Sequence, residues 1–598
     1  MLAFQEILRW VLLKFLFNNA PEEVFNSPNY ARYVAEYQGD IQSEAYLGLE
    51  KEMYITVLTD KYVIITKKID DVLEDRLTFK NNPFPSVVFI ERYYIYCTIN
   101  IIDFSEKVSI NPLDAANINV ISSIKSINLT GKGTVVGIID TGIDYLNKEF
   151  QTKDGNSRIL RIWDQSLPST KNNSYDNTAW GAEYTNEQIN NAIIAQKAGE
   201  DPYRIVASKD EIGHGTAMAG IIGASGFDPE VKGAAPECEF VIVKLSRDLV
   251  AERITETDEL YDMASIMSAI NYILKFAIGE NKPTVIYMPF GTTLGNHRFT
   301  GTLEDYIDEV CGNLGISVVT SAGDEGDGRN HAFNVLQGNG DIKETQLYID
   351  NGQKYLMLDV WARKPNNIAI SIISPEGQST GIIPALFKQK DLTKFVIEET
   401  RVLVQYYLPE DLSGDELISV YFVGLQPGIW KIRVYGNYIL DGRYDIWILS
   451  RKMLKGETSL TSPCTCGTIT NPSTSRYSLT ISNYDQTNIT VYAKSGLATT
   501  SIEAFEIDVA AGGVNVKCIF LNNQIVYITG TSVSAAVATG VALLLFQWGI
   551  VEGNDPYMYS QTLKSYMLSG TYRRKNDIYP NIEWGYGILN LLGIFTNL

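Results

Sequence analysis

The sequence predicts an α/β protein built on a doubly wound parallel sheet, with an N-terminal α+β unit and an inserted antiparallel β-sandwich. Apolar strands alternate with helical patterns over much of the chain and again near its C-terminus, which is typical of βαβ units. Between these stretches the apolar period changes to two, which is typical of antiparallel strands that bury one face.

Composition sets the first limits on function. The 598 residues are enough for three or four domains, and 45% apolar with 20% charged residues is ordinary for a globular protein. The net charge of −20 argues against binding to nucleic acid or to an anionic membrane surface, because both require a clustered basic face. No G-x-G-x-x-G motif opens the first helix, which excludes a dinucleotide-binding enzyme. We expect no cofactor.

The N-terminal segment MLAFQEILRWVLLKFLF is apolar but interrupted by Glu6, Arg9 and Lys14. A signal peptide keeps its charges ahead of an unbroken apolar core, and no stretch approaches the ~18 apolar residues that span a bilayer. We therefore expect an amphipathic helix, cytoplasmic synthesis without a signal peptide, and no membrane span.

The cysteines and histidines give no clear metal signature. The chain has six cysteines and three histidines, and Cys464 and Cys466 are separated by one residue, which is too tight for the usual zinc-knuckle spacing. We expect reduced, inert thiols and no bound metal.

The N-terminal unit is assigned to residues 1–112. Residues 1–45 look helical, with mixed polar and apolar positions. They are followed by short β-rich runs around a helix-like segment, which together predict a small α+β unit. The runs are MYITVL, YVIITKKI, SVVFI and YYIYCTINI.

The α/β domain is assigned to residues 113–334 and 476–598. Its strands are continuous apolar runs, as in a parallel sheet covered on both faces, and helical patterns at 262–279 and 302–315 lie between them. A long apolar helix, SVSAAVATGVALLLFQWG, follows near the C-terminus. The strands are TVVGIID (134–140), FVIVKL (240–245), TVIYMPF (284–290) and SVVTSAG (317–323).

The insertion is assigned to residues 335–475. In the run IWKIRVYG, Trp430, Ile432 and Val434 share one face while Lys431 and Arg433 share the other. Several such runs with turn residues between them predict an antiparallel sandwich of about 130 residues. The other runs are KYLMLDVW, NIAISII and ISVYFVG.

Three short motifs carry the candidate chemistry. In GIIDTGID, Asp140 ends a buried strand, where a carboxylate can be held dry to orient a histidine, although strand-Asp-Gly also occurs in nucleotide-binding folds. In DEIGHGTAMAGIIG, His214 lies between Gly213 and Gly215, which let the backbone approach it closely; a lone histidine is otherwise more often a core or surface residue. In ITGTSVSAAVATG, Ser532 lies near a helix N-terminus, where the dipole favours a developing oxyanion, or it is a simple N-cap.

Taken together, Asp140, His214 and Ser532 in this order and these glycine contexts resemble the subtilisin family over residues 118–332 and 476–595. The resemblance implies that Ser532 is the nucleophile, His214 the general base and then acid, and Asp140 the group that fixes the histidine tautomer. It also implies a substrate cleft lined by three small residues, Gly291, Ala322 and Gly323.

The main departure from the family is Asp324 in SAGDEGDG, where subtilisins have an asparagine in the oxyanion hole. An amide donates a hydrogen bond to the oxyanion, whereas an ionised carboxylate repels it; in subtilisin itself, loss of this donor costs about 10²–10³ in rate. A protonated Asp324 would still donate alongside the Ser532 N–H, and nearby Glu325 and Asp327 would raise its pKa. A calcium-binding loop is a lesser alternative.

The β-rich insertion, together with the segments RIWDQS, GAEYTNEQIN and YPNIEWGYGILNL, resembles the Csp germination proteases of spore-forming bacteria. This resemblance implies a prodomain at 1–112 that stays bound in the cleft after a cut between about 95 and 115, and a jelly roll at 335–475. It further implies the zymogen of a cortex-lytic enzyme as substrate, other Csp-type proteins as partners, and incorporation into the spore.

Some members of that family have lost triad residues and act as pseudoproteases in germinant signalling. The alternative function is therefore an attenuated scaffold that acts through binding. Asp324 favours the scaffold, and the filled positions 140, 214 and 532 favour the active protease.

Overall fold

The computed structural model describes residues 17–69, 79, 82–98, 102–103, 109–124, 127–169, 180–499 and 506–598. The predicted amphipathic helix at the N-terminus lies almost entirely outside these residues, as do residues 99–101 and 104–108 of the window predicted for the cut. The fold class predicted from the sequence is confirmed: a largely parallel central sheet is accompanied by separate antiparallel sheets.

The N-terminal region forms a four-stranded antiparallel sheet in the order β2-β3-β1-β4. Two further short strands of this region, β5 and β6, are not part of this sheet and pair with strands from later in the chain. The strands are β1 Tyr30–Tyr37, β2 Met53–Val57, β3 Tyr62–Lys68, β4 Val87–Ile90, β5 Ile95–Cys97 and β6 Ile102–Asp103.

The prediction that residues 1–45 are helical is wrong for Tyr30–Tyr37, which form strand β1 inside this sheet. Tyr33, Val34 and Ala35 are all buried, and they pack into three different apolar clusters. A strand that is buried on both faces loses the polar–apolar alternation by which a sequence reveals strands. Pairing with β3 and β4 therefore decides the conformation.

The central sheet has the order β25-β24-β13-β12-β7-β10-β8-β9, with β26 on β24. All its pairs are parallel except the two at its ends, β8–β9 and β24–β25. The first part of the chain supplies six of these strands: β7 Val135–Asp140, β8 Ile159–Asp164, β9 Ala182–Thr185, β10 Glu239–Lys244, β12 Thr284–Met288 and β13 Ile316–Ser321. Strand β11, Leu260–Asp262, lies outside this sheet and pairs with β5.

The insertion is a sandwich of two antiparallel sheets, β14-β22-β16-β20-β19-β18 and β17-β21-β15-β23. Trp430, Ile432 and Val434 on β21 are fully buried, as the alternation predicts. The strands are β14 His331–Val335, β15 Ile342–Ile349, β16 Tyr355–Ala362, β17 Asn367–Ile373, β18 Lys390–Lys394, β19 Arg401–Tyr407, β20 Glu416–Val423, β21 Gly428–Tyr438, β22 Arg443–Ile448 and β23 Ser459–Leu460.

The chain then returns to the central sheet and ends in helices. Strands β24 Leu479–Asp485, β25 Thr490–Val491 and β26 Val509–Gly512 complete the central sheet. Strands β27 Val516–Ile519 and β28 Ile525–Ile528 form a separate sheet with β6. The α-helices are α1 Pro112–Ala115, α2 Ile118–Ser123, α3 Asn186–Lys197, α4 His214–Gly223, α5 Leu249–Thr255, α6 Met263–Glu280, α7 Thr302–Cys311, α8 Thr531–Phe546, α9 Ser560–Ser569 and α10 Leu591–Asn597.

Helix α8 is the long apolar helix expected near the C-terminus. All its residues are buried, and the helical stretch Thr531–Val551 is long and apolar enough to cross a membrane by length and composition alone. Its most apolar window is 89% buried inside the protein, so α8 packs as a core helix.

The expectation of six reduced thiols is wrong for Cys464 and Cys466, which form a disulfide. A spacing of one residue leaves their Cα atoms 5.4 Å apart, within the ordinary range for a disulfide. The other four cysteines are buried free thiols.

Candidate active site

Asp140 and His214 form a buried pair at the carboxyl edge of the central sheet. Asp140 is the last residue of β7, and His214 is the first residue of α4. The imidazole Nδ1 lies 2.7 Å and 2.8 Å from the two carboxylate oxygens. A proton on Nδ1 that is donated to Asp140 leaves Nε2 with a free lone pair, which is the tautomer that a general base requires.

The two glycines beside His214 allow this close approach. A Cβ added at Gly215 would lie 2.1 Å from the carbonyl oxygen of Gly142. Gly213 has a φ of +89°, and a Cβ there would lie 2.2 Å from the ring of Phe520. A side chain at Gly215 would have to displace the backbone at Gly142, and one at Gly213 would be strained by the positive φ and would have to displace Phe520.

Asp210 is a positioning residue that the sequence analysis missed. Its carboxylate accepts hydrogen bonds from the Thr141 hydroxyl at 2.9 Å, the Gly213 N–H at 2.8 Å and the Thr216 hydroxyl at 2.7 Å. It therefore ties the residue after Asp140 to the start of the helix that carries His214. The available signal was a carboxylate four residues before the histidine.

Ser532 is the second residue of α8 and is fully buried. Its carbonyl oxygen accepts a hydrogen bond of 2.9 Å from the Tyr287 hydroxyl on β12. The Ser532 Oγ and the His214 Nε2 are both buried and lack a hydrogen-bond partner among the residues that the structure describes. A nucleophile and its base often pair only once substrate is bound, so both atoms remain available for chemistry.

Asp324 follows β13 and lies at the N-terminus of α8. Its Oδ1 accepts a hydrogen bond of 3.1 Å from the Thr531 N–H, one residue before Ser532. Burial raises the pKa of Asp324 to about 6, with Asp327 adding to the rise, while the hydrogen bonds from Thr531 and the charge of Lys494 oppose it. The side chain is thus beside the position predicted for the oxyanion.

The other two acidic residues of this loop face elsewhere. Glu325 is buried and accepts a hydrogen bond of 3.1 Å from the Arg451 N–H, and burial raises its pKa to about 7. Asp327 is exposed and lies 3.8 Å from the Arg451 guanidinium. The three carboxylates are not among the described groups whose potential ligand atoms all lie within 4.8 Å of one another, as an oxygen cage for calcium requires.

The described part of the chain contains one group of potential metal ligands: His331, Cys464 and Cys466. The disulfide takes up both sulfur atoms, and the His331 Nε2 lies 3.0 Å from Asp445.

The predicted cleft residues have different environments. The backbone of Gly291 pairs with Cys97 through two hydrogen bonds of 3.1 Å and 3.2 Å. A Cβ at Gly291 or Gly323 would lie 2.2 Å or 2.5 Å from the Thr470 hydroxyl, so one threonine packs against both glycines. Ala322 is fully buried in a small cluster with Ile469 and Ala498.

Two short strands of the chain's own N-terminal region pair with segments that contain or precede candidate site residues. Strand β5 pairs antiparallel with β11 on one edge and with Gly291 on the other. A few residues later, β6 pairs antiparallel with β28, which ends four residues before Ser532. Both pairings are antiparallel and extended, the form in which a peptide binds along the edge of a strand.

The parallel sheet and the buried Asp140–His214 pair at its carboxyl edge are typical of the subtilisin class of serine proteases. The chain belongs to the subtilase family, whose family model matches residues 131–380 and 461–587. The expected resemblance to subtilisins is confirmed.

Particular relatives agree with this assignment. The chain is similar to the solved structure of the CspB protease of Clostridium perfringens, with 27% identity and a TM-score of 0.73 over 81% of this chain and 96% of that one. It is 31% identical over 150 residues to the major intracellular serine protease of Bacillus subtilis strain 168, covering 25% of this chain and 41% of that protein. It is 30% identical over 207 residues to a PII-type proteinase of Lacticaseibacillus paracasei, covering 33% of this chain and 9% of that protein. The chain thus spans less than half the length of these two curated relatives.

Proposed function

We propose that the chain is a serine endopeptidase that cuts its own backbone once, between Thr98 and Ile102, and then cleaves a protein substrate. The path of the N-terminal segment is the observation that carries this proposal. Residues 95–97 pair with β11 and Gly291, and residues 102–103 pair with β28, which ends four residues before Ser532. A peptide held as an extended strand at both ends presents its backbone carbonyl to a nucleophile.

In this proposal, the Ser532 Oγ bonds to the scissile carbonyl carbon while the His214 Nε2 takes the hydroxyl proton. Asp140 stabilises the imidazolium through the Nδ1 proton. The intermediate collapses as His214 gives that proton to the leaving amine, which leaves an ester on Ser532. Water then hydrolyses the ester with the same base, and the proton returns to Ser532. The Ser532 N–H and a protonated Asp324 stabilise the oxyanion.

The test compares the purified wild-type chain with Ser532→Ala. We expect the wild type to separate into two fragments on a denaturing gel, with a new N-terminus between residues 99 and 102 identified by mass spectrometry. The Ser532→Ala chain remains a single band. A conservative control, Ser534→Ala on the same helix, is processed normally. Identical uncut bands for the wild type and Ser532→Ala would contradict the proposal.

The resemblance to Csp germination proteases supports a finer proposal: the substrate is the zymogen of a cortex-lytic enzyme, and the protein acts in the spore with other Csp-type proteins. Restricted access to the cleft, which the N-terminal segment fills, fits limited proteolysis. A purified zymogen of this class is the substrate to test. Wild-type protein should shorten it at one site, and Ser532→Ala should leave it intact.

Asp324 specifically favours a second function, a weakly competent scaffold that acts through binding. With a pKa of about 6, this carboxyl is mainly ionised at neutral pH and opposes the oxyanion. If the protein is a scaffold, the Ser532→Ala variant should bind the partner as tightly as the wild type does and keep its function. If the protein is a protease, the variant should no longer cleave the partner.

A further inference from the structure

Arg92 occupies an aromatic cage beside the cleft, three residues before β5. Its guanidinium carbon lies over the rings of Tyr94, Tyr407 and Trp361, at 4.9 Å, 5.1 Å and 5.5 Å from their centroids. The Arg92 side chain is only 11% exposed. A delocalised, planar cation stacks on ring faces in this way, and the attraction grows as water is excluded.

The floor of the cage is a buried carboxylate. The Arg92 Nη1 donates to Asp359 Oδ2 at 3.4 Å and to the Ser419 hydroxyl oxygen at 3.2 Å. The Ser419 hydroxyl in turn donates to the other oxygen of Asp359 at 2.6 Å. Asp359 is 1% exposed, and a carboxylate buried to this degree is costly unless a cation faces it.

The cage belongs mainly to the inserted sandwich. Asp359 and Trp361 lie on β16, Ser419 on β20 and Tyr407 at the end of β19. These three strands are consecutive neighbours in one sheet, in the order β16-β20-β19. Backbone pairing therefore fixes the carboxylate and two of the rings relative to one another, so the site is preorganised whichever polypeptide supplies the cation.

We propose that Asp359, Trp361 and Tyr407 form a recognition site for an arginine side chain of a polypeptide lying in the cleft. Its first occupant is Arg92 of the chain's own N-terminal segment. A protein substrate that pairs with β11 and Gly291 as residues 95–97 do would bring the residue three positions upstream to the same cage. The substrate part of this inference rests on the proposed function, and it predicts selection for arginine at that position.

The binding part is tested without any catalysis. In the full chain carrying Ser532→Ala, a recognition sequence for an added site-specific protease replaces residues 99–101, and the folded chain is cut there. The N-terminal fragment is then a separate polypeptide, and its release is followed by size-exclusion chromatography. We expect Arg92→Gln to shorten the half-time of release at least tenfold. We expect Arg92→Lys to give a smaller change, because a lysine keeps the charge but lacks the stacking plane.

Tyr407→Leu provides the matched variant on the sandwich side. It should speed release of the unmodified fragment but change little in an Arg92→Gln background, because the lost ring then has no guanidinium to contact. Arg92→Gln fragments that are retained as long as unmodified ones would overturn the inference. So would a Tyr407→Leu effect of equal size in both backgrounds. If the Arg92→Gln chain does not fold, the Tyr407→Leu chain decides the question. Unchanged release of the unmodified fragment from that chain would overturn the inference.

The substrate part uses the processed wild-type chain, separated from its own cleaved N-terminal fragment, and peptides that correspond to residues 88–103. With arginine at the fifth position we expect kcat/KM to be at least tenfold higher than with glutamine, mainly through KM. The difference should shrink in Tyr407→Leu. Equal rates for the two peptides would overturn the selection for arginine. If neither peptide is cut, the proposed function fails, while the release measurements still decide whether the cage binds arginine.

Discussion

The Asp324 carboxylate accepts a 3.1 Å hydrogen bond from the Thr531 N–H, one residue before the candidate nucleophile Ser532. This contact holds an acid where subtilisins have an amide. Burial raises the pKa of Asp324 to about 6, so the side chain changes its charge close to neutral pH. Under the proposed function, we therefore expect the turnover rate to depend on the protonation of a residue that is neither nucleophile nor base.

Replacing this acid by its amide should speed the reaction. Asp324→Asn supplies a permanent donor to the oxyanion, and such a donor contributes about 10²–10³ in rate in subtilisin. We expect self-processing at pH 8 to accelerate by about tenfold or more, measured as the rate of fragment appearance. Asp327→Asn, an exposed acid three residues away, is the matched control and should change little. An Asp324→Asn chain that is no faster would mean that the carboxyl does not face the oxyanion.

The pH profile separates this effect from a structural one. Asp324 is protonated below its pKa of about 6, and only the protonated form donates. As pH rises above 6, the protonated fraction of the wild type falls about tenfold per unit, while the amide is unaffected. The ratio of the Asp324→Asn rate to the wild-type rate should therefore be constant below pH 6 and rise above it. A ratio that is constant from pH 5 to 8 would contradict this assignment.

Gly291 should be intolerant of a side chain because Thr470 already fills the space. A Cβ at Gly291 would lie 2.2 Å from the Thr470 hydroxyl, so Gly291→Ala must move the strand that pairs with Cys97. We expect self-processing to slow at least tenfold, followed by densitometry of the uncut band. Thr470→Gly in the same chain should restore part of the rate. At Gly279 on α6, an added Cβ meets no described atom within 4 Å, and Gly279→Ala should process normally.

The parallel sheet and the triad were accessible from the sequence because their signals are local. Strand β7 is a continuous apolar run that ends at Asp140, and His214 has a glycine on either side; the structure pairs these two side chains, and the role of Ser532 stays a prediction. The sandwich was accessible for the same reason: β21 alternates strictly, and Trp430 and Lys431 fall on opposite faces.

The features that the sequence did not reveal depend on contacts between distant segments. Strand β1 is recognisable only once β3 and β4 flank it. The cage around Arg92 joins residues more than 260 positions apart, since Asp359 is 267 positions away. The hydrogen bond that Asp210 accepts from Thr141 joins residues 69 positions apart, so its link to the strand that carries Asp140 was not readable from the sequence. Such pairings form only when complete strands and helices pack against one another, so a short stretch of sequence does not predict them.

The inserted sandwich should become less stable as pH rises, because of Glu416 at the start of β20. This residue is 1% exposed; its Oε2 accepts a 2.8 Å hydrogen bond from the Ile368 N–H, and its Oε1 has no partner within the described ranges. Burial raises the pKa of Glu416 from 4.5 to about 8. Between these values the folded chain keeps a proton that the unfolded chain releases, so stability falls as pH rises toward 8.

Glu416→Gln keeps the acceptor without the charge. We expect it to gain stability over the wild type on the order of 4 kcal/mol between pH 5 and pH 8.5, measured from urea unfolding of the sandwich. Glu376→Gln, an exposed glutamate in the same sandwich, should show no such gain. A Glu416→Gln difference that is independent of pH would mean that Glu416 is ionised in the folded protein at both pH values.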